Sequence, residues 1–403
     1  MSTRPVALKV YDQPYQFEPL LPQSRMEEFA LRTRSVVEAA QRLRGATHPA
    51  TRARICELVR AMNSYYSNRI EGQSTHPLHI AAALKKDFSD QPDIAQKQRI
   101  AVAHIEAEQE LEQSTPSEDI TLTGAFLQQA HKSLYSRLAL ADRTTDASRA
   151  IEPGALRTED VTVGRHQPPT WSSLPAFLAR ADQAYGKRLS LDNFLVTVAA
   201  AHHRLAWTHP FLDGNGRACR LQTHCALLPL SGGLWSVNRG MARQRDAYYA
   251  KLSEADMARH GDLDGRGNLS EKMLGEWCSF FIELCADQVA FMEKMLDLNQ
   301  LKERIAGLVL VRSQSAAFAE YRSEVVLPLT HVLAAGPVAR GDFIRMSGLG
   351  ERTGRKTLSQ LLKDGLLVTD SPRGEVGIGF PLDALNILFP NLYPEASRAL
   401  VDG

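Results

Sequence analysis

The chain contains few cysteines, and none are paired at the spacing of a redox or metal-binding motif. Its 403 residues include five cysteines with no CxxC pattern: Cys56, Cys219, Cys225, Cys278 and Cys285. Scattered cysteines in odd number indicate free thiols in a reducing compartment. We therefore expect a cytoplasmic protein that has neither a disulfide framework nor a zinc site.

An excess of charge and long apolar runs are also missing. Lys and Arg number 47 against 46 Asp and Glu, so the net charge of +1 does not indicate binding to nucleic acid or to a membrane. No apolar run is long enough to span a bilayer, and residues 1–16 lack the apolar segment of a signal peptide. We expect an ordinary globular protein of two or three domains with no membrane partner.

What the chain does contain is a dense motif, HPFLDGNGRACR, from His209 to Arg220. A residue before proline is disfavoured in a helix, so His209 is predicted to lie in a loop. Gly-Asn-Gly allows successive backbone N–H groups to form an anion-binding nest, and the helical run after it favours phosphate at its N-terminus. Arg217 and Arg220 share one face of that first turn.

The motif resembles that of the Fic family, HPFx[D/E]GNGRxxR, and matches it at every defined position. The resemblance implies a mainly α fold, with an all-helical core, a short β-hairpin flap, an N-terminal helical segment and a C-terminal winged helix. It implies three regions: residues 1–115 with an inhibitory motif, residues 116–300 as the Fic core and residues 301–403 as a winged helix-turn-helix domain.

The residues of the motif suit transfer of a nucleotidyl group, which needs a base, a cation and phosphate-binding groups. The predicted catalytic residues are His209, as the base for an incoming hydroxyl, and Arg217, which neutralises phosphate charge. Asp213 is predicted to hold Mg²⁺. The residues predicted to bind ATP are Gly214, Asn215, Gly216, Arg217 and Arg220, together with Tyr248 and Tyr249, which stand where the family carries a tyrosine pair at the adenine pocket.

Two further segments resemble Fic elements. SNRIEG follows a predicted helix and resembles the inhibitory motif [S/T]xxxE[G/N], with Ser67, Glu71 and Gly72 at its defined positions. Residues 153–164 resemble the flap pattern PGxxRxxxVxVG, whose edge binds an extended segment of the target protein by β-strand addition. The flap residues are Val161, Thr162, Val163 and Gly164.

The last hundred residues predict a helix over 340–346, a turn, a helix over 352–364 and two short strands. This order resembles the winged-helix module of many Fic proteins. Arg352, Arg355 and Lys356 are available to meet phosphate or base edges. Because such modules also dock proteins, the sequence leaves DNA and protein open as partners.

The resemblance implies a protein adenylyltransferase that transfers AMP from ATP to a Ser, Thr or Tyr of a target protein or of itself, and that is inhibited by Glu71. Removal of AMP with Glu71 as base, another nucleotidyl or phosphoryl transfer, and DNA-binding regulation stay open as alternatives. The target, the direction of reaction, the donor nucleotide and the oligomeric state, a homodimer included, also stay open. His224 and Cys225 are predicted to pack in the core.

Overall fold

The protein is mainly helical. The computed structural model describes residues 10–114, 120–145, 148–187 and 190–393. Its sixteen α-helices surround one large apolar cluster and a smaller second one, so the predicted mainly α fold class is confirmed. The helices are α1 (Met26–Gly45), α2 (Pro49–Ile70), α3 (Pro77–Leu84), α4 (Pro92–Ser114), α5 (Gly124–Tyr135), α6 (Leu174–Tyr185), α7 (Phe194–Thr208), α8 (Asn215–Ser231), α9 (Val237–Arg243), α10 (Arg245–Ala255), α11 (Glu271–Leu296), α12 (Leu298–Ser313), α13 (Val326–Ala335), α14 (Arg340–Ser347), α15 (Glu351–Lys363) and α16 (Leu385–Leu388).

The centre of the fold is α8, against which α5 and α7 both pack. The side chains of α7 and α8 are almost all buried. A helix that is apolar on several faces must be surrounded by other helices, which explains why α11, α1 and α6 cover α7. The loop between α7 and α8 is thereby held between two buried helices.

Helix α2 carries the predicted inhibitory residues at its C-terminal end. Its N-terminus is set by Pro49 in the first turn and by His48, whose Nδ1 accepts a hydrogen bond from the Ala50 N–H. Its C-terminus is set by Gly72, whose φ of +74° is a conformation that other residues adopt only with strain. Glu71 is thereby placed at the helix end.

The C-terminal region packs back onto α2. The hydroxyl of Tyr66 donates to the Leu392 carbonyl at 2.8 Å, and the rings of Tyr66 and Tyr393 are stacked. Near the other end of α2, Thr51 Oγ1 donates to the Leu333 carbonyl at 2.7 Å. One apolar cluster extends across the predicted regions, from Tyr11 to Tyr393. The predicted boundary between residues 115 and 116 lies outside the described residues.

Helices α14 and α15 and a small antiparallel sheet lie where the last predicted region has its helix, turn, helix and strands. The strands are β1 (Leu367–Val368) and β2 (Gly377–Ile378), with Leu367 opposite Ile378. The winged-helix interpretation of these elements stays a prediction. Among the described residues, no helix combines the length and the apolar character needed to cross a membrane.

Candidate active site

The loop between α7 and α8 is tightly constrained. His209 ends α7 in a left-handed conformation with a φ of +43°, which is uncommon for a residue other than glycine. Asn215 clamps the loop with two hydrogen bonds of 2.9 Å: its Oδ1 accepts from the Phe211 N–H, and its Nδ2 donates to the Phe211 carbonyl. Both polar atoms of the Asn215 side chain are therefore used to shape the loop. The loop contributes to the predicted phosphate cradle through its backbone N–H groups.

Arg157 fixes His209 from the side of the flap. Its buried guanidinium donates from Nε to the His209 carbonyl at 2.9 Å and from Nη2 to the Pro169 carbonyl. Its backbone N–H also bonds to the Pro210 carbonyl at 2.8 Å. Burial first, and the nearby charges of His166 and Arg157, lower the pKa of His209 to about 4. The imidazole is therefore neutral at physiological pH and able to accept a proton.

Asp213 presents an exposed carboxylate at the mouth of the site. About half of its side-chain surface, 51%, is accessible, and its Oδ2 accepts a hydrogen bond from the Tyr135 hydroxyl at 3.3 Å. An exposed carboxylate beside the predicted phosphate-binding nest is the kind of ligand that Mg²⁺ prefers, because this cation keeps several waters and binds through one or two carboxylates. The residues present therefore fit the predicted Mg²⁺.

His131 supports the backbone beneath Asp213. Its Nδ1 accepts a hydrogen bond from the Gly154 N–H at 2.9 Å, so Nε2 must carry the proton and donate to the Asp213 carbonyl at 3.1 Å. The ring stacks between Tyr135 and Phe211, with centroid distances of 4.4 and 4.0 Å. Burial lowers the pKa of His131 to about 4, which keeps the ring neutral in this role.

Two glycines of the nest are closely approached by side chains, and Gly214 also has a φ of +78° that favours glycine. A Cβ on Gly214 would lie 2.4 Å from the ring of Tyr135, and one on Gly216 would lie 2.5 Å from Glu71 Oε1 and 2.9 Å from Arg220 Nη1. The backbone at residue 216 is thus approached closely by a carboxylate. This position, at the N-terminus of α8, is where an anion is stabilised by the helix.

Glu71 and Arg220 form an ion pair across the site. Glu71 Oε1 lies 2.5 Å from Arg220 Nη2, and Arg220 also donates from Nε to Ser67 Oγ at 3.0 Å and from Nη2 to the Ser67 carbonyl at 3.1 Å. Burial opposes ionisation of Glu71, but the charges of Arg220 and Arg217 outweigh it, so the pKa of the carboxyl is lowered. Ser67 and Glu71 together surround the guanidinium that the sequence predicted for phosphate.

Arg217, the second predicted phosphate-binding arginine, is held by three neighbouring side chains. It donates from Nη1 to Gln73 Oε1 at 2.8 Å and from Nη2 to the Tyr135 hydroxyl at 3.1 Å, and Nη2 lies 3.7 Å from Asp213 Oδ2. Within the described part of the chain, its buried Nε has no hydrogen-bond partner. A buried guanidinium N–H that lacks an acceptor is suited to an anionic ligand.

Comparison with known proteins identifies a family match for the segment that contains the motif. Residues 121–227, which include the motif, match the Fic/DOC family. The chain carries a Fic domain. Two curated relatives, both named protein adenylyltransferase Fic, are those of Drosophila virilis, 26% identical over 233 residues, and Drosophila persimilis, 29% identical over 236 residues.

These alignments cover 56% and 57% of this chain, and 43% and 40% of the two relatives, so the chain spans about two fifths of their length. Solved structures similar to this chain include a Fic family protein from Desulfovibrio desulfuricans G20, with a TM-score of 0.47, 18% identity and coverage of 91% of this chain and 98% of that one. Another is Fic-1 from C. elegans, with a TM-score of 0.49, 18% identity and coverage of 65% and 70%.

One of the two tyrosines predicted to bind ATP is buried in the core, and the other lies at the surface. Tyr248 is buried, and its hydroxyl pairs with His202 Nε2 at 3.0 Å. Tyr249 is 42% exposed, and its hydroxyl donates to the Ile70 carbonyl at 3.3 Å, beside Glu71. The structure therefore leaves the ring of Tyr249 accessible near the nest and uses Tyr248 for packing. Their role at an adenine pocket stays a prediction.

The predicted flap contains a minimal hairpin. Val163 and His166 form one antiparallel bridge, and Gly164 turns the chain between them with a φ of +59°. His166 Nε2 holds the hairpin against the end of α7 through the Trp207 carbonyl at 2.7 Å. Thr162 Oγ1 accepts from Gln167 Nε2, and Val163 is 39% exposed. Target docking at this edge stays a prediction.

Sequence reasoning missed four residues that shape the Fic site. Arg157 stands at the arginine of the flap pattern, which offered a signal. His131 and Tyr135 lie four residues apart on α5, a spacing that places both on one face but did not distinguish them from core residues. Gln73 lies just beyond the inhibitory motif, and no pattern indicated its contact with Arg217. The missed residues are His131, Tyr135, Arg157 and Gln73.

Proposed function

We propose that the protein is a protein adenylyltransferase that transfers AMP from ATP to a hydroxyl side chain of a protein, and that Glu71 restrains it. The observation that carries the proposal is the position of the Glu71 carboxylate, which lies against Gly216 and pairs with Arg220. A carboxylate at an anion-binding nest stands where a nucleotide phosphate is favoured. The name of the curated relatives supports the same reaction.

In the proposed reaction, the hydroxyl oxygen of the target attacks the α-phosphorus of ATP. His209 Nε2 or Nδ1 takes the hydroxyl proton, a new O–P bond forms, and the bond between the α-phosphorus and the pyrophosphate oxygen breaks. Arg217 neutralises charge on the phosphates through the guanidinium that faces the nest. When bound at Asp213, Mg²⁺ would supply a further positive charge to the phosphate oxygens.

Inhibition follows from competition for one guanidinium. Arg220 can pair bidentately with a carboxylate or with a phosphate, but geometry allows one partner at a time. With Glu71 on Arg220, the terminal phosphates of bound ATP are displaced and the α-phosphorus is out of line for attack. A misplacement of about 1 Å can lower a rate by ~10²-fold.

The test is incubation of the purified full-length protein with ATP that carries label at the α- or the γ-phosphorus. The Glu71→Gly variant should incorporate the α-label into itself or into a lysate protein, and His209→Ala in the same background should not. Incorporation of the γ-label alone would contradict nucleotidyl transfer and indicate phosphoryl transfer. Release of AMP from a modified protein that requires Glu71 would instead support hydrolysis with Glu71 as base.

Two cations of α15 that the sequence predicts to meet nucleic acid lie beside acidic side chains at the surface. Arg355 pairs with Glu351 at 2.5 Å, and Lys356 lies 3.8 Å from Glu320. Two of the three cations predicted to meet nucleic acid are thus already beside acidic groups of the protein. Measurement of the salt dependence of duplex DNA binding remains the discriminating observation for this region.

A further inference from the structure

A second polar cluster lies inside the helical bundle, one helical turn from the inhibitory ion pair. Glu108 and Glu112 on α4 face His224 on α8, and one ligand atom of each lies within 4.8 Å of the other two. The side chains of Glu108, Glu112 and His224 are 0%, 9% and 1% exposed. His224 follows Arg220 by four residues, so both lie on one face of α8.

We propose that Glu108, Glu112 and His224 bind one transition-metal ion that joins α4 to α8. His224 Nε2 faces both carboxylates, at 2.8 Å from Glu112 Oε1 and 3.4 Å from Glu108 Oε1. An imidazole and two carboxylates, four residues apart on one helix and opposed by another helix, are a donor set that Zn²⁺, Fe²⁺ and Mn²⁺ accept. Mg²⁺ is disfavoured because it retains waters for which a fully buried site has little room.

Unpartnered atoms around the cluster provide a second observation. In the part of the chain that the structure describes, Glu108 Oε2, both ring nitrogens of His104 and Asn63 Oδ1 have no hydrogen-bond partner. His104 is fully buried on the same face of α4, with Nδ1 aimed at Glu108 Oε2 from 3.9 Å. Buried polar atoms without partners are rare in folded proteins, and a bound ion is one of the groups that can satisfy them.

The charges of the cluster are compatible with a bound cation. Arg60 donates from Nε to Glu112 Oε2 at 2.7 Å, so one permanently charged guanidinium lies beside the two carboxylates of the cluster. The remaining negative charge is costly in a buried site unless a proton on His224 or a metal ion balances it. Arg60 occupies only the outer oxygen of Glu112, which leaves Oε1 directed at His224.

Asn63 is placed to support His224 as a ligand. Its amide lies 3.3 Å from His224 Nδ1 and donates to Glu108 Oε1 at 2.8 Å. Coordination through Nε2 leaves the proton on Nδ1, and rotation of the amide by half a turn offers Oδ1 as its acceptor. After this rotation, Glu108 Oε1 no longer accepts a hydrogen bond from the Asn63 amide and binds the metal ion instead. A hydrogen-bonded outer nitrogen is the usual partner of a metal-bound histidine.

The proposed metal ligands are not cysteines, which were the residues used to predict that the chain has no zinc site. None of the three is a cysteine, so the prediction of no zinc site from scattered cysteines does not bear on this cluster. The prediction that His224 packs in the core is consistent with its burial, but the structure also gives it two acidic neighbours. Asn63 precedes Ser67 by one turn on α2, so the ion would lie about one helical turn from the contacts that hold Glu71 against Arg220.

The test uses full-length, tag-free protein in the Asp213→Asn background, freed of metal with a chelator and titrated with Zn²⁺, and with Co²⁺ as an optical probe. We expect about one bound ion per chain and a rise in Tm with Zn²⁺. His224→Gln and Glu112→Gln should abolish both effects, whereas Glu106→Gln, an exposed acid on α4, should retain them. Asn63→Ala should weaken binding by ~10–100-fold.

Circular dichroism of each metal-free variant establishes folding before titration. If His224→Gln does not fold, the proposal is tested by comparing two other variants. Asn63→Ala should bind Zn²⁺ more weakly than the parent, whereas Glu106→Gln should bind it equally well. Equal Zn²⁺ affinity in the parent, Asn63→Ala and any folded His224→Gln protein would overturn the proposal. Absence of Zn²⁺ and Co²⁺ binding by the parent would also overturn it and identify the balancing cation as a proton.

Discussion

The carboxylate of Glu71 lies against the backbone of Gly216, so close that a Cβ on residue 216 would stand 2.5 Å from Oε1. Glu71 belongs to the end of α2, and Gly216 belongs to the first turn of α8. The contact places a negative charge from one helix at the positive end of another.

Substitution of Glu71 by Gly should raise auto-modification by ~10²-fold, because the variant leaves Arg220 free to bind a nucleotide phosphate and aligns the α-phosphorus. Incorporation of α-labelled ATP into the purified protein measures the effect. Asp364→Gly is the matched control, since Asp364 also stands just past a helix, α15, and lies outside the Fic site.

The same substitution should lower Tm without nucleotide, because loss of an acceptor for a buried charged group costs about 1–3 kcal/mol. ATP should then raise Tm more in Glu71→Gly than in the wild type. Equal labelling in Glu71→Gly, Asp364→Gly and wild-type protein would show that Glu71 does not inhibit transfer.

Substitution of His209 by Ala in the Glu71→Gly background should reduce transfer by ~10²–10⁴-fold, the usual contribution of a general base. The affinity for ATP should change little, because the nest and both arginines remain. Turnover and calorimetric binding measured on the same preparation separate the two effects. Unchanged turnover would remove His209 from its proposed role.

Removal of the predicted metal should stop turnover by two routes. EDTA should inhibit the Glu71→Gly protein, and excess Mg²⁺ should restore it. Asp213→Ala should be inactive at every Mg²⁺ concentration, because it lacks the exposed carboxylate. Full activity in EDTA would mean that Asp213 contributes only to the loop structure.

Substitution of Tyr135 by Phe should reduce turnover by about 5–30-fold, which corresponds to loss of one or two hydrogen bonds worth about 1 kcal/mol each. The hydroxyl contacts both Asp213 and Arg217 without lying on the proposed path of the proton, so Tyr135 is a positioning residue. The concentration of Mg²⁺ needed for half-maximal rate should also be higher for Tyr135→Phe than for the parent protein.

Tyr185→Phe is the control for this substitution, since the hydroxyl of Tyr185 bonds to the Leu20 carbonyl away from the site. If Tyr135→Phe behaves like Tyr185→Phe in both rate and Mg²⁺ requirement, the contact with Asp213 has no part in catalysis.

The acid limb of the rate profile should lie near pH 4 rather than near the usual histidine value of ~6.5. Burial lowers the pKa of His209 to about 4, so the base stays unprotonated above that pH. The profile is measured in the Glu71→Gly protein, with ATP affinity determined at each pH to separate titration of the donor. An acid limb centred near pH 6.5 would contradict the lowered pKa.

The lowered pKa of His209 also determines how the stability of the protein changes with pH. Because native His209 binds a proton less readily than the unfolded chain does, its contribution to stability is present above pH ~6.5 and is lost as the pH falls toward 4. His131, with a pKa of about 4, contributes in the same direction. Denaturant unfolding between pH 7 and 4 should therefore show declining stability.

The sequence by itself determined the parts of the site that are consecutive in the chain. His209, Asp213, Gly216 and Arg217 lie within nine residues, and proline and glycine dictate a loop that a buried helix must follow. Their proximity can be predicted without knowing how the other helices pack. The mainly helical fold could be predicted for a similar reason, since apolar spacing is local.

Only the tertiary structure decided which distant residues meet that loop. Glu71 approaches Gly216 across 145 positions of the chain because α2 packs beside α8, and Tyr135 reaches Asp213 because α5 does. The Glu108, Glu112 and His224 cluster likewise depends on how α4 is packed against α8. Helix spacing indicates which face is buried, but the free energy that pairs two faces comes from side-chain packing between separate segments, which a local pattern does not contain.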